Sequence, residues 1–128
     1  MRLLVCGGRN FADAEKMDAK LRSILRDGAM TPHTIIHGGA SGADTLAGEW
    51  AALNGCLCEV YPADWSNHGR AAGPIRNRQM IVEGRPHAVL AMEGGKGTAN
   101  MVKQAIAAGL PVHYAPSCPH PVTDTKGD

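Results

Sequence analysis

Short apolar runs and amphipathic stretches alternate along this chain, and the alternation predicts its architecture. Leu3-Leu4-Val5-Cys6 is continuously apolar, as a strand buried on both faces is. From Asp13 to Arg26 the apolar positions fall at helical spacing, with Met17, Leu21, Ile24 and Leu25 on one stripe and Gly28 as a stop signal. Thr34-Ile35-Ile36-His37 predicts a second strand. Gly42 to Leu53 predicts a second helix with Leu46, Ala47, Trp50 and Leu53 inward, ended by Gly55. Leu57 to Tyr61 predicts a third strand, closed by Pro62. An irregular stretch covers 63–74, and Pro74 then suits the first turn of a helix running through Arg76, Met80 and Ile81 to Gly84. Ala88-Val89-Leu90-Ala91 predicts a fourth strand, Thr98 to Ala108 a fourth helix, and Pro111-Val112-His113-Tyr114 a fifth strand.

Strands that alternate with helices imply right-handed crossovers and a parallel sheet covered on both faces. The expected fold is therefore α/β: a single Rossmann-like three-layer domain over residues 1–114, built on a five-stranded parallel sheet. Prolines and polar residues dominate 115–128, where a disordered tail is expected. At 128 residues the chain is long enough for one domain with one core.

Three glycine-rich turns stand where a strand gives way to a helix: Cys6-Gly7-Gly8-Arg9, His37-Gly38-Gly39-Ala40-Ser41-Gly42-Ala43-Asp44 and Glu93-Gly94-Gly95-Lys96-Gly97-Thr98. Such a turn aims bare backbone N–H groups and the positive end of a helix at one point, which suits phosphate. In a sheet of this kind all three turns lie at the carboxyl ends of strands, where ligands bind. None matches the dinucleotide pattern G-x-G-x-x-G, and the lysine of Gly94-Gly95-Lys96-Gly97-Thr98 is misplaced for a P-loop.

Around these turns lie further candidates. Ser41 can donate to a phosphate or cap the second helix. Asp44 can sit as a favourable charge in a first helical turn, bind a ribose hydroxyl or hold an arginine across the crevice. Trp65 can stack on a base or lie as a lid over the core. Arg76 sits near a helix N-terminus, where a cation is unfavourable unless an anion compensates it. Arg70 and Arg78 are close by, Asn77 offers both donor and acceptor, and Arg9 is a further cation at the crevice.

Charge narrows the partners. The formal net charge of +1 argues against a nucleic-acid partner, which needs uncompensated Lys and Arg. No apolar run approaches a membrane span and Met1-Arg2-Leu3-Leu4-Val5 is too short for a signal peptide, so a cytoplasmic location without membrane contact is expected. Four cysteines fit that compartment. Cys56 and Cys58, along a strand, are expected on one face and packed in the core, as inert thiols with Cys6, while Cys118 falls in the tail. The six histidines (33, 37, 68, 87, 113 and 120) form no ligand pair, so no metal site is expected. Met80, Ile81, Met101, Val102 and Ile106 offer more apolar surface than one sheet face needs, and a homodimer is expected.

Five motifs in order resemble the YspA-like, cpYpsA-related branch of the SLOG superfamily. They are Val5-Cys6-Gly7-Gly8-Arg9, His37 to Asp44, Tyr61-Pro62-Ala63-Asp64-Trp65, Gly73-Pro74-Ile75-Arg76-Asn77-Arg78-Gln79-Met80 and Gly94-Gly95-Lys96-Gly97-Thr98. The resemblance implies a Rossmann-like domain that binds a nucleotide or nucleotide-derived small molecule, with no further cofactor. Phosphate would lie on Gly38, Gly39, Ser41, Gly42, Gly94, Gly95, Gly97 and Thr98, and beside Gly7 and Gly8. Arg9 and Arg76 would be counter-charges, and Trp65 and Asn77 would meet the base or ribose. Relatives include the Lonely Guy phosphoribohydrolases and the DNA-processing protein A group. The former carry Pro-Gly-Gly-x-Gly-Thr-x-x-Glu, in which the glutamate serves N-glycosidic cleavage. Here the proline position is Glu93 and the glutamate position is Met101, whose thioether cannot act as a base. The alternative function implied is N-glycosidic hydrolysis of a nucleoside 5′-phosphate or NAD-type molecule. Its catalytic candidates are Arg76 and Glu93, with Asp64 and Asp44 as other available carboxylates.

Overall fold

The computed structural model describes residues 1–25 and 33–114. Along the chain run β1 (Arg2–Cys6), α1 (Ala14–Ile24), β2 (Thr34–His37), α2 (Ala43–Leu53), β3 (Leu57–Val60), the short α3 (Trp65–His68) and a 3-10 turn (Gly69–Ala71). Then follow α4 (Ala72–Val82), β4 (Ala88–Ala91), α5 (Lys96–Ala107) and β5 (Val112–Tyr114). The five strands form one sheet in the order β3-β2-β1-β4-β5, and every pairing is parallel. This is the expected Rossmann-like α/β domain. The Gly28 stop signal, Cys118, His120 and the expected disordered tail all lie outside the described residues.

Alternation along the strands divides the core into two layers. Leu3, Val5, Ile35, Ala88 and Leu90 face one side, against Met17 and Leu21 of α1 and Ala43, Ala47 and Ala51 of α2. Leu4, Cys6, Ile36, Val89 and Ala91 face the other, against Met80 of α4 and Met101 and Ala105 of α5. Small alanines on α2 let that helix lie close to the sheet. Both methionines expected at a dimer surface are thus core residues, and Ile81 and Val102 pack against the same layer. Ile106 remains exposed.

The third strand corrects the reading of the cysteine pair. β3 is an edge strand, and Leu57, Cys58 and Val60 are exposed on it. Cys58 is therefore a surface thiol, because its edge position leaves the side chain uncovered. Cys56 precedes the strand and is only partly buried against the α1–α2 layer, while Cys6 is buried. The stretch expected to be irregular is mostly helical. Asp64 caps α3, its carboxylate accepting from the Asn67 N–H at 3.2 Å and from the Asn67 amide at 2.7 Å. α4 then begins at Ala72, two residues before Pro74.

Candidate functional site

From β1 the chain steps outward through β2 to β3, then returns to the other side of β1 for β4 and β5. The switch point lies between β1 and β4, where ligands enter sheets of this kind. A crevice of about 610 Å³ opens there, walled by all three glycine turns together with Arg9, Asp44, Trp65, Arg70, Arg76, Asn77, Lys96 and Asn100. The range of small-molecule pockets, roughly 300 to 1,000 Å³, includes that volume.

Contacts in the first turn explain its glycines by packing. The Gly8 N–H donates to the Glu93 carbonyl at 2.7 Å, and the Gly8 carbonyl accepts from Phe11 N at 3.2 Å and Ala43 N at 3.1 Å. A Cβ on Gly7 would lie 2.6 Å from that of Ala43, and one on Gly42 (φ +77°) would run into the Gly8 and Arg9 carbonyls. Glycine here lets the β1, β2 and β4 turns touch, and the Gly8 and Ala43 donors are spent in doing so.

The second turn likewise keeps its donors for itself. Asp44, 6% exposed, accepts through Oδ2 from Gly38 N at 3.0 Å and Ala40 N at 3.2 Å. His37 Nδ1 accepts from Gly39 N at 3.0 Å. Gly38 and Gly39 line the crevice, yet their N–H groups already have acceptors within the turn. Ser41 donates to the Arg9 carbonyl at 3.4 Å, and neither Ser41 nor Gly42 lines the crevice. Burial pushes the Asp44 carboxyl above its ordinary range, against the pull of its backbone donors, His37 and Arg76. Burial also lowers the His37 imidazole; Asp44 opposes this and Arg76 adds to it.

Arg76 crosses from α4 to this turn. Its Nη1 donates to the Gly38 carbonyl at 2.8 Å and its Nε to Asn77 Oδ1 at 3.0 Å. Burial draws the guanidinium below its usual value, Asp44 opposes the shift and Arg9 reinforces it. Arginine nevertheless keeps its charge in proteins. Arg9 lies over the half-exposed Trp65 ring, 5.5 Å from its centroid. Among the described residues none of Arg9, Arg70, Arg76 and Lys96 is ion-paired with a carboxylate. Arg78 is exposed and lies off the crevice.

At the third turn α5 starts at Lys96 behind Gly95, which as the cap residue offers no side-chain hydrogen bond, and Gly95, Gly97 and Thr98 line the crevice. First-turn N–H groups of a helix have no intrahelical acceptor. Glu93 and Gly94 instead line an adjoining hollow of about 480 Å³ with Asn10, Phe11 and Lys16. Glu93 Oε2 pairs there with Lys16 Nζ at 3.1 Å. Arg76 and Glu93, the two expected catalytic residues, therefore line different cavities. Among the described residues no three His, Cys, Asp or Glu side chains gather to hold a metal ion, and no helix is long and apolar enough to cross a membrane.

Lys96 and Asn100 were not singled out from the sequence as site residues. Their i, i+4 spacing on a helix that leaves a glycine turn is the signal that points to them.

The family model described as "YspA, cpYpsA-related SLOG family" matches residues 1–68. The "Gene 61 protein" of Mycobacterium phage D29 is 34% identical over 122 residues, which covers 87% of this chain and 93% of the phage protein. With five parallel strands in this order and glycine turns at the switch point, the chain belongs to the YspA, cpYpsA-related SLOG family.

Proposed function

We propose that this protein binds a nucleotide or nucleotide-derived ligand, a nucleoside phosphate or an ADP-ribose-like molecule, in the crevice at the switch point. The observation that carries the reading is the charge of the walls. Four cations, Arg9, Arg70, Arg76 and Lys96, face the space with one carboxylate, Asp44, in a chain of net charge +1. Beside them the uncapped start of α5 adds the partial positive charge of a helix N-terminus. Phosphate belongs against the start of α5 and these cations, which no carboxylate pairs among the described residues. The sugar and base belong toward Trp65, Asn77 and the Asp44 wall.

Binding is favoured over cleavage. Splitting an N-glycosidic bond calls for a carboxylate to steady positive charge on the ribose. Met101, at the position where Lonely Guy enzymes carry glutamate, is wholly buried in the core. Glu93 lies against Lys16 in the neighbouring hollow, and Asp44 Oδ2 is engaged by two backbone donors.

Calorimetric titration with ADP, ADP-ribose and nucleoside monophosphates tests the reading. Saturable binding supports it, and silence across the panel at millimolar ligand removes it. Release of free base that is lost in Glu93→Gln and Arg76→Ala would restore the hydrolase.

A further inference from the structure

Arginine only donates hydrogen bonds, and that fixes the polarity of a chain of amides along the crevice. Arg76 Nε donates to Asn77, so Asn77 must present its oxygen there, at 3.0 Å. The Asn77 NH2 is thereby turned to α5, where it donates to the Gly97 carbonyl at 3.2 Å and to Asn100 Oδ1 at 3.1 Å. Asn77 is 3% exposed and has no room for the opposite orientation without losing these partners. The same Asn100 oxygen accepts from Gln104 Nε2 at 2.8 Å, and Gln104 also donates to the Pro74 carbonyl at 3.1 Å. Two donors therefore lock Asn100 with its oxygen inward. Its NH2 group makes no hydrogen bond among the described residues, and Asn100 lines the crevice.

Lys96 and Asn100 are four residues apart on α5, which places them on one helix face about 5–6 Å apart. Both line the crevice. Lys96 and Asn100 thus bring an ammonium-bearing and an amide-bearing side chain to one wall of the crevice, the two kinds of donor that an anionic group takes.

We propose that Asn100 is a phosphate-binding residue, which donates from its locked NH2 to a phosphate oxygen of the ligand and sets that phosphate against Lys96. The inference rests on the nucleotide reading above and adds to it a residue that discriminates ligands by an acceptor at this point. A donor-only group here favours an anion and opposes any ligand that would bring an N–H or ammonium to the same place.

The test uses inorganic pyrophosphate and ADP as probes, titrated into the full chain by calorimetry, with adenosine as the phosphate-free control. N100D retains an oxygen for Asn77 and Gln104 but replaces the donor by a second carboxylate oxygen. It is expected to melt near wild type and to bind pyrophosphate and ADP about tenfold more weakly or worse, as loss of a bond to a charged group implies. Adenosine binding, where measurable, should not weaken. Should N100D fail to fold, N100A removes the donor without adding charge and is expected to weaken both probes by a similar factor. Folded N100D or N100A that binds pyrophosphate and ADP as tightly as wild type overturns the role of Asn100 and leaves the nucleotide reading standing. Wild type that binds neither probe overturns both.

Discussion

The guanidinium of Arg76 fills the space that a side chain at Gly38 would take. Its Nη1 donates to the Gly38 carbonyl at 2.8 Å, and a Cβ built on Gly38 would collide with that nitrogen and lie 3.0 Å from Asp44 Oδ2. Gly38 is thus kept bare by its neighbours, since the Arg76–Asp44 arrangement closes over it.

Gly38→Ala is accordingly expected to push Arg76 out of place, at a cost of about 1–3 kcal/mol for a group forced into filled space. Thermal unfolding should show the loss, and ADP titration should show weaker binding at a temperature where the variant is folded. A variant that melts with wild type would mean that Arg76 moves aside freely.

The His37 ring gives the fold a pH dependence of known sign. The imidazole accepts the Gly39 N–H, and burial holds its pKa below the ordinary 6.5. The unfolded chain therefore takes up a proton as pH falls through about 6.5 while the folded chain resists, and stability is lost in that direction. Above that range the contribution is fully present. Asp44 acts oppositely at lower pH: with its carboxyl raised above 3.8, stability falls as pH rises from 3.8 toward the raised value. Urea unfolding between pH 5 and 8 should find wild type losing stability toward acid relative to His37→Asn, whose amide oxygen can accept from Gly39 without titrating. Parallel profiles would contradict the assignment.

Thiol chemistry reports on the sheet edge. Cys58 is exposed on β3, whereas Cys6 is 7% exposed at the floor of the crevice. Brief alkylation followed by peptide mass spectrometry should find Cys58 modified well ahead of Cys6, and equal rates would mean that β3 is covered or that β1 opens.

Trp65 offers an optical signal of the crevice, because it is half exposed beneath Arg9. Ligand that draws Arg9 to a phosphate should alter the indole emission. The change is expected in wild type and absent in Trp65→Phe, where Trp50 remains as the internal control.

Strand order decides what the sequence could and could not reveal. Leu3 to Cys6 and Ala88 to Ala91 are legible as buried strands because both faces are apolar. Cys56-Leu57-Cys58 looks equally apolar, yet its exposure depends on β3 being last in the sheet, which no local pattern encodes. The glycine turns are legible as turns, but the fate of their donors is not: Asp44 reaches the Gly38 and Ala40 N–H groups only once β2 and α2 are folded together. Glu93 likewise turns to the neighbouring hollow because Lys16, 77 residues earlier, comes to meet it. Polar i, i+4 pairs such as Lys96 and Asn100 occur on any solvated helix face, and only the switch point shows which face looks into a crevice.

Amide chemical-shift mapping with ADP-ribose tests the central claim most directly, since it reports binding and its place together. The account predicts saturable shifts at Gly95, Gly97 and Thr98 and at the Asn100 side-chain NH2, with the β3 edge around Cys58 undisturbed. Shifts absent at millimolar ligand, or confined to residues away from the start of α5, would contradict it.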